Sequence, residues 1–243
     1  MDNYNYYNNQ PQTPPPYGGN AVIAQTNTVL RKVYVRMFLG LLITAFCALG
    51  VSSSETLCRA LLGNSIVYFG IWIGMLVMAI MIPVRMMRMA SGTVLALFLL
   101  FSALMGVQTA PIFLLYNLGT IAYVFFITAG TFGAMSLYGY FTKADLTKIG
   151  TFCMFGLFGL IIACIVNVFV ASRAILWWLS IIGVLLFLGL TAWDTQSVKK
   201  LARMNTDPAL SDKLATMGAM NLYLAFINLV LFLLRIFGGG GRD

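Results

Sequence analysis

Histidine is absent from the 243 residues. That removes the commonest general base and the commonest metal ligand together. An intramembrane Ser–His protease and an H-E-x-x-H zinc site are both excluded, and no G-x-S-x-G elbow occurs. Charge is almost as scarce. Charged residues make up 9% of the chain, against roughly 25% in ordinary globular proteins, too few to cover a water-facing surface of normal extent. The four cysteines, Cys47, Cys58, Cys153 and Cys164, include no C-x-x-C pair. Cys153 and Cys164 lie about 16 Å apart along one helix, beyond disulfide reach, and all four read as small core residues. No lysine falls inside an apolar run, so a retinal-type Schiff base has no attachment point. Pro83 and Pro111 fall at run ends, and no pair of interrupted helices of the kind secondary transporters use is visible.

What is present is hydrophobic: 60% of the residues, gathered in stretches of about 20, the length that crosses a bilayer. The expected fold is all-α, a polytopic membrane protein of seven transmembrane helices whose partner is the lipid bilayer. The net charge of +8 is accounted for by basic residues in loops on one side of the membrane, so no nucleic-acid partner is expected.

Residues 1–30, rich in Asn, Gln, Tyr and Pro, are expected to form a disordered cytoplasmic tail. Without a basic n-region and an apolar h-region, this segment is not a secretory signal. A single seven-helix membrane domain is expected over 31–237, with a short Gly-rich tail over 238–243. The spacing places spans at about 37–52, 66–84, 92–110, 115–138, 149–171, 174–193 and 217–237. Gly70 and Gly74 in the second span have the spacing that lets helix backbones approach closely. The third span is expected to stop at Pro111. Trp177 and Trp178 suit an interfacial aromatic belt. Met75, Met78, Met81, Met86, Met87 and Met89 suggest a thioether metal site, but they spread around the helix and are better read as packing.

Seven spans put the termini on opposite sides. The N-terminal side receives Arg31, Lys32, Arg36, Arg85, Arg88, Lys143, Lys148, Lys199, Lys200, Arg203 and Lys213, whereas the other receives Arg59, Arg173, Arg235 and Arg242. The positive-inside rule therefore makes the N-terminus cytoplasmic and the C-terminus periplasmic or outside. A re-entrant last run would return Arg235 and Arg242 to the cytoplasm and strengthen the bias.

Of the seven acids, Asp194 alone touches a predicted span, closing the run Ile175–Trp193. An acid at the lip of an apolar span carries a functional expectation and needs a partner. Arg85 and Arg88, at the end of the second span, are the candidate partners for a charge-assisted pair closing the cytoplasmic mouth. The competing reading makes them topology determinants that snorkel to the surface. Asn167 and Asn228 are the other costly intramembrane groups, as interhelical hydrogen-bonders or as pore lining.

Several stretches together resemble the Bax inhibitor family (transmembrane Bax inhibitor motif), in its bacterial YccA-like branch. They are Ser102-Ala103-Leu104-Met105-Gly106 with Pro111-Ile112, Thr131-Phe132-Gly133-Ala134-Met135-Ser136, and Thr142-Lys143-Ala144-Asp145-Leu146. Gly189-Leu190-Thr191-Ala192-Trp193-Asp194-Thr195-Gln196 follows, then Leu224-Ala225-Phe226-Ile227-Asn228-Leu229 with Leu233-Leu234-Arg235. The resemblance implies six helices around the C-terminal one and a pH-sensitive calcium leak in which two aspartates share a proton and an arginine latches the closed state. It maps the first aspartate onto Asp194 and the latch onto Arg85 or Arg88. The second aspartate's place is taken by Ala225. A single carboxylate cannot share a proton in that way, and Asp194 alone makes a weak calcium site, since calcium prefers six to eight oxygens.

Two functions are therefore expected to compete. One is a calcium or other cation leak with Asp194 at the cytoplasmic mouth, calcium being permeant rather than a cofactor. The other is a non-conducting regulator that binds membrane proteases or stress and cell-death factors. No nucleophile–base pair can be assembled from the spans, so no enzyme and no cofactor are expected. The bacterial branch resembled points to the inner membrane.

Overall fold

The structure, a computed structural model, describes residues 19–204 and 207–238. Its elements are helical: α1 (Gly19–Ser53), α2 (Glu55–Leu61), α3 (Ser65–Arg85), a 3₁₀ turn (Met86–Arg88), α4 (Ser91–Leu115), α5 (Leu118–Phe141), α6 (Thr147–Val170), α7 (Arg173–Met204) and α8 (Pro208–Phe237). All but α2 and the 3₁₀ turn are long and apolar enough to cross a membrane. The protein is a seven-helix membrane bundle.

The last helix is central. Of its most apolar stretch 67% is buried, against 11% in α3. Helix α8 packs chiefly on α7, α1, α5 and α4, while α3 and α6 ride outside on α4 and α7 respectively. Tyr223, Leu222, Leu229 and Ala219 of α8 are fully enclosed. The Tyr223 ring meets Phe98 and Phe101 of α4 edge-on, and its hydroxyl pairs with Thr44 Oγ1 of α1 at 2.6 Å. Helix α8 is one continuous helix, long and apolar enough to cross a membrane.

Close approach between helices is bought with glycine at a few positions. A Cβ on Gly106 would lie 2.6 Å from the Thr44 carbonyl oxygen of α1, and one on Gly139 of α5 would strike the Ala192 backbone of α7. Gly70 and Gly74, expected to serve this purpose, face open space instead, because α3 meets the bundle through another face: Met75 and Ile82 are its buried residues. Met75 also belongs to the main core, with Met78, Met86 and Met89 packed against it, as the packing reading of the methionines requires. All four cysteines are free.

Four boundaries depart from the sequence expectation. Residues 19–30, expected in a disordered tail, continue α1; the rest of that expectation, residues 1–18, lies outside the described residues. Thr26, Leu30, Val33 and Met37 recur at helical spacing and are buried, so this stretch is an amphipathic helix that its polar residues disguise. Helix α7 runs ten residues past Asp194, and α8 begins at Pro208 rather than near 217. The expected long loop 194–216 is thus mostly helix. Helix α4 likewise passes through Pro111 to Leu115, although proline forfeits one helical hydrogen bond. In α1, α7 and α8 tertiary burial sustains the added turns, whereas the last turn of α4 is apolar and exposed at Leu114 and Leu115. The loop 53–65 also holds α2, capped by the Ser54 hydroxyl on the Leu57 N–H.

Candidate functional site at the seam of α7 and α8

Asp194 sits inside α7, about 15 Å before its end, and is 8% exposed. It closes the apolar run of α7 but is enclosed by the bundle and lies well short of the helix end. The Asn221 side chain of α8 faces the carboxylate. Flanking residues are polar and enclosed: the Thr191 hydroxyl donates to the Phe187 carbonyl at 2.7 Å, and Thr195 Oγ1 reaches Ser136 Oγ of α5 at 3.5 Å.

The expected Asp194–arginine pair is not formed. Arg85 and Arg88 are exposed, and neither makes an ion pair among the described residues. The cause is geometric. Arg85 ends α3 and Arg88 ends the 3₁₀ turn that follows, both exposed, whereas Asp194 is enclosed. That stretch is tied down by other groups: Lys213 Nζ donates to the Met87 carbonyl at 3.3 Å, and Ser91 Oγ to the Ala209 carbonyl at 3.3 Å.

Helix α8 is open along one line. Met217, Asn221, Leu224, Asn228 and Leu231 retain exposure while most residues between them are buried. Asn221 and Asn228 lie seven residues apart, on nearly the same line and about 10 Å apart along the axis. Asn228 Nδ2 donates to its own helix at the Leu224 carbonyl, 2.8 Å away, leaving its Oδ1 as an acceptor. Ala225 is one turn beyond Asn221 and is buried. Asn167 is elsewhere, near the end of α6, buried with its Oδ1 lacking a hydrogen-bond partner. The structure therefore brings Asp194 and α8's open line together, with Ala225 packed beside it, and leaves Asn167 and the two arginines apart.

Sequence reasoning missed three groups. The first is Asn221, legible only as the first member of an Asn-x6-Asn pair once α8 is extended. The second is an ion-pair cluster between α1 and α8. Arg36 Nη1 donates to the Asp212 carbonyl (2.6 Å) and to Thr216 Oγ1 (2.8 Å), and Nη2 to Asp212 Oδ1 (2.7 Å). Lys32 Nζ reaches the same carboxylate oxygen at 2.8 Å. Asp212 had been placed in a loop, where no such partner is foreseeable.

The third is Gln196. Its Oε1 accepts from the Leu146 N–H at 2.9 Å, and its Nε2 donates to the Ala144 carbonyl at 2.8 Å, so both amide atoms pin the α5–α6 loop. Lys200 Nζ adds an ion pair to Asp145 Oδ1 at 2.7 Å. The Lys200 ammonium first, then the Thr147 hydroxyl and N–H, holds the Asp145 carboxyl well below the ordinary carboxylate range. Stability linked to a lowered carboxylate is present above the unfolded value, about 3.9, and is lost as pH falls through the folded value. The loop contact therefore persists between about pH 5 and 8. Gln196→Ala is expected to cost about 1–3 kcal/mol by stranding the buried Leu146 N–H. It should also speed proteolytic cutting within 142–146, and unchanged cleavage would refute the anchor.

These features define a polytopic membrane protein with, among the described residues, a single enclosed carboxylate on its sixth membrane helix beside the seventh. The family described as "Inhibitor of apoptosis-promoting Bax1" matches residues 26–242. "Inner membrane protein YbhL" of Escherichia coli (strain K12) is 41% identical over 217 residues, covering 88% of this chain and 93% of that protein. An uncharacterized protein of Borreliella burgdorferi is 41% identical over 218 residues, 89% of this chain and 94% of its own. A third relative, uncharacterized protein RP147 of Rickettsia prowazekii, is 40% identical over 214 residues, 87% and 89% of the two chains. The chain belongs to the Bax inhibitor family.

Proposed function

We propose that the chain is a cation leak pathway, with calcium as the permeant ion, running along the open line of α8 past Asp194. The observation that carries this reading is the enclosed Asp194 facing Asn221, which lies on an exposed line along the mostly buried middle of the central helix. Asn228 extends that line with a further oxygen. Among the described residues no three acids or cysteines cluster, so a passing ion meets one carboxylate plus amide and backbone oxygens. That favours transit over tight binding. Arg85 and Arg88 act in this reading as exposed cations at the mouth. The membrane is the bacterial inner membrane, in keeping with the name of the Escherichia coli relative, and basic-residue counting makes the N-terminus cytoplasmic.

Proteoliposomes holding the protein and an external calcium dye test this. Flux should exceed that of empty liposomes and fall severalfold in Asp194→Asn. Ala225→Asp would install a second carboxylate about one turn from Asn221, and it should raise flux or give it pH dependence between about pH 5 and 8. No flux above empty liposomes anywhere in that window would end the proposal. One observation favours the rival, a non-conducting regulator that binds membrane proteases or stress and cell-death factors. Gly70, Gly74, Gly130, Gly133 and Gly159 leave helix backbone uncovered, as docking of a partner's membrane helix requires. Specific crosslinks from these faces, with no flux, would select it.

A further inference from the structure

The end of the bundle that carries α5, the 142–146 loop and α7 holds a cleft of about 540 Å³ whose walls include Lys143, Lys199, Lys200, Arg203, Asp145 and Phe141. Its one acid is engaged by Lys200. Lys143 and Arg203 make no ion pair among the described residues. Lys199 sits 4.6 Å from the Tyr140 ring centroid and donates to the Tyr140 carbonyl, contacts that position its ammonium without neutralising it. Three cations with no acid opposite them thus converge on a cleft whose floor Gln196 fixes from both amide atoms.

The cleft's position specifies the ligand further. The apolar run of α7 ends at Trp193, and the basic residues begin roughly 9 Å further along the axis, which puts them in the head-group layer. Phe141, on the cleft wall and 70% exposed, stands at the hydrocarbon boundary. Helices α5 and α6 both lie on α7 and barely meet each other, leaving a furrow that descends from the cleft into the apolar layer. Cations above an apolar furrow match a phosphate carrying acyl chains. Basic pockets between membrane helices are where anionic head groups bind.

We propose that this cleft binds the phosphate head group of an anionic phospholipid, with Lys143, Lys199 and Arg203 as its cations and an acyl chain lying between α5 and α6. The site is independent of Asp194 and of the leak.

The test titrates the full chain in nonionic detergent with dioctanoyl phosphatidylglycerol, dioctanoyl phosphatidylcholine and inorganic phosphate, reading the unfolding midpoint and direct binding. Phosphatidylglycerol should raise the midpoint saturably and phosphatidylcholine should not. Inorganic phosphate should need at least roughly tenfold higher concentration, since it lacks the acyl anchor. Each basic residue beside an anionic lipid contributes about fivefold in affinity, so Lys143→Gln with Arg203→Gln should weaken phosphatidylglycerol binding about 25-fold. Should that pair fail to fold, Lys143→Gln alone, at an exposed loop position, should weaken it about fivefold. Arg88→Gln with Lys148→Gln, which removes equal charge outside the cleft, should leave it unchanged. Equal responses to the two lipids, equal loss in the control pair, or inorganic phosphate matching phosphatidylglycerol would each overturn the proposal.

Discussion

Arg36→Met is expected to destabilise the protein by about 2–3 kcal/mol, at or just below the low end of what breaking a buried ion pair costs, because the pair is part-buried and the Asp212 side chain stays 24% exposed. The guanidinium, 12% exposed, holds the Asp212 carboxylate, the Asp212 carbonyl and the Thr216 hydroxyl at once. A methionine of similar length fills the space and abandons all three. Lys32, which is half-exposed, keeps one contact to the carboxylate, so the loss stays below the cost of a fully orphaned charge. The measurement is thermal or denaturant unfolding in detergent, repeated for Asp212→Leu and for the double variant. Because each single variant strands a charge that the double variant removes, the double should cost less than the sum by more than about 1 kcal/mol. Additive losses would show that the cluster is a surface decoration.

Gly139→Ala should be equally damaging through a different cause. A Cβ there runs into the Cα and carbonyl of Ala192, which are backbone atoms of a packed helix and cannot rotate away as a side chain does. Helix α5 must lift from α7, disturbing the Ser136–Thr195 contact and the wall beside Asp194. Overpacking costs typically 1–3 kcal/mol, and the rigidity of the obstacle puts the expected value near 3 kcal/mol. Gly130→Ala on the same helix, where the new methyl meets nothing within 4 Å, should be neutral or gain up to about 1 kcal/mol from helix propensity. The fraction of folded protein surviving a heating series separates the two. Equal survival would mean that α5 and α7 are not in backbone contact at Gly139.

The seven membrane helices were legible because each is built on an apolar run long enough to cross a bilayer, whether that run faces lipid, as in α3, or the core, as in α8. Their true lengths were not. The extra turns of α1, α7 and α8 carry Gln25, Thr26, Lys199 and Asp212, residues whose polarity signals water although several are held against other helices. Asp194 stood out as the acid nearest an apolar run. Its partner did not: a rule of opposite charges selects Arg85 or Arg88, while the bundle supplies the neutral amide of Asn221. Charge pairing across the fold was illegible for the same reason. Arg36 and Asp212 are 176 positions apart, and nothing local to either residue names the other.

The central place of α8 sets an order for biogenesis. The helices that enclose it are all synthesised before it, so they enter the membrane around an axis that does not yet exist. Arg36 waits for Asp212, and at about 5–20 residues per second the interval is roughly 9–35 s. During it, the inner faces of α1, α4, α5 and α7 must be held by lipid, by the translocation machinery or by one another. Completion of the last helix is therefore the event that closes the bundle, and a ribosome that stops before residue 208 releases a chain with six inserted helices and no core.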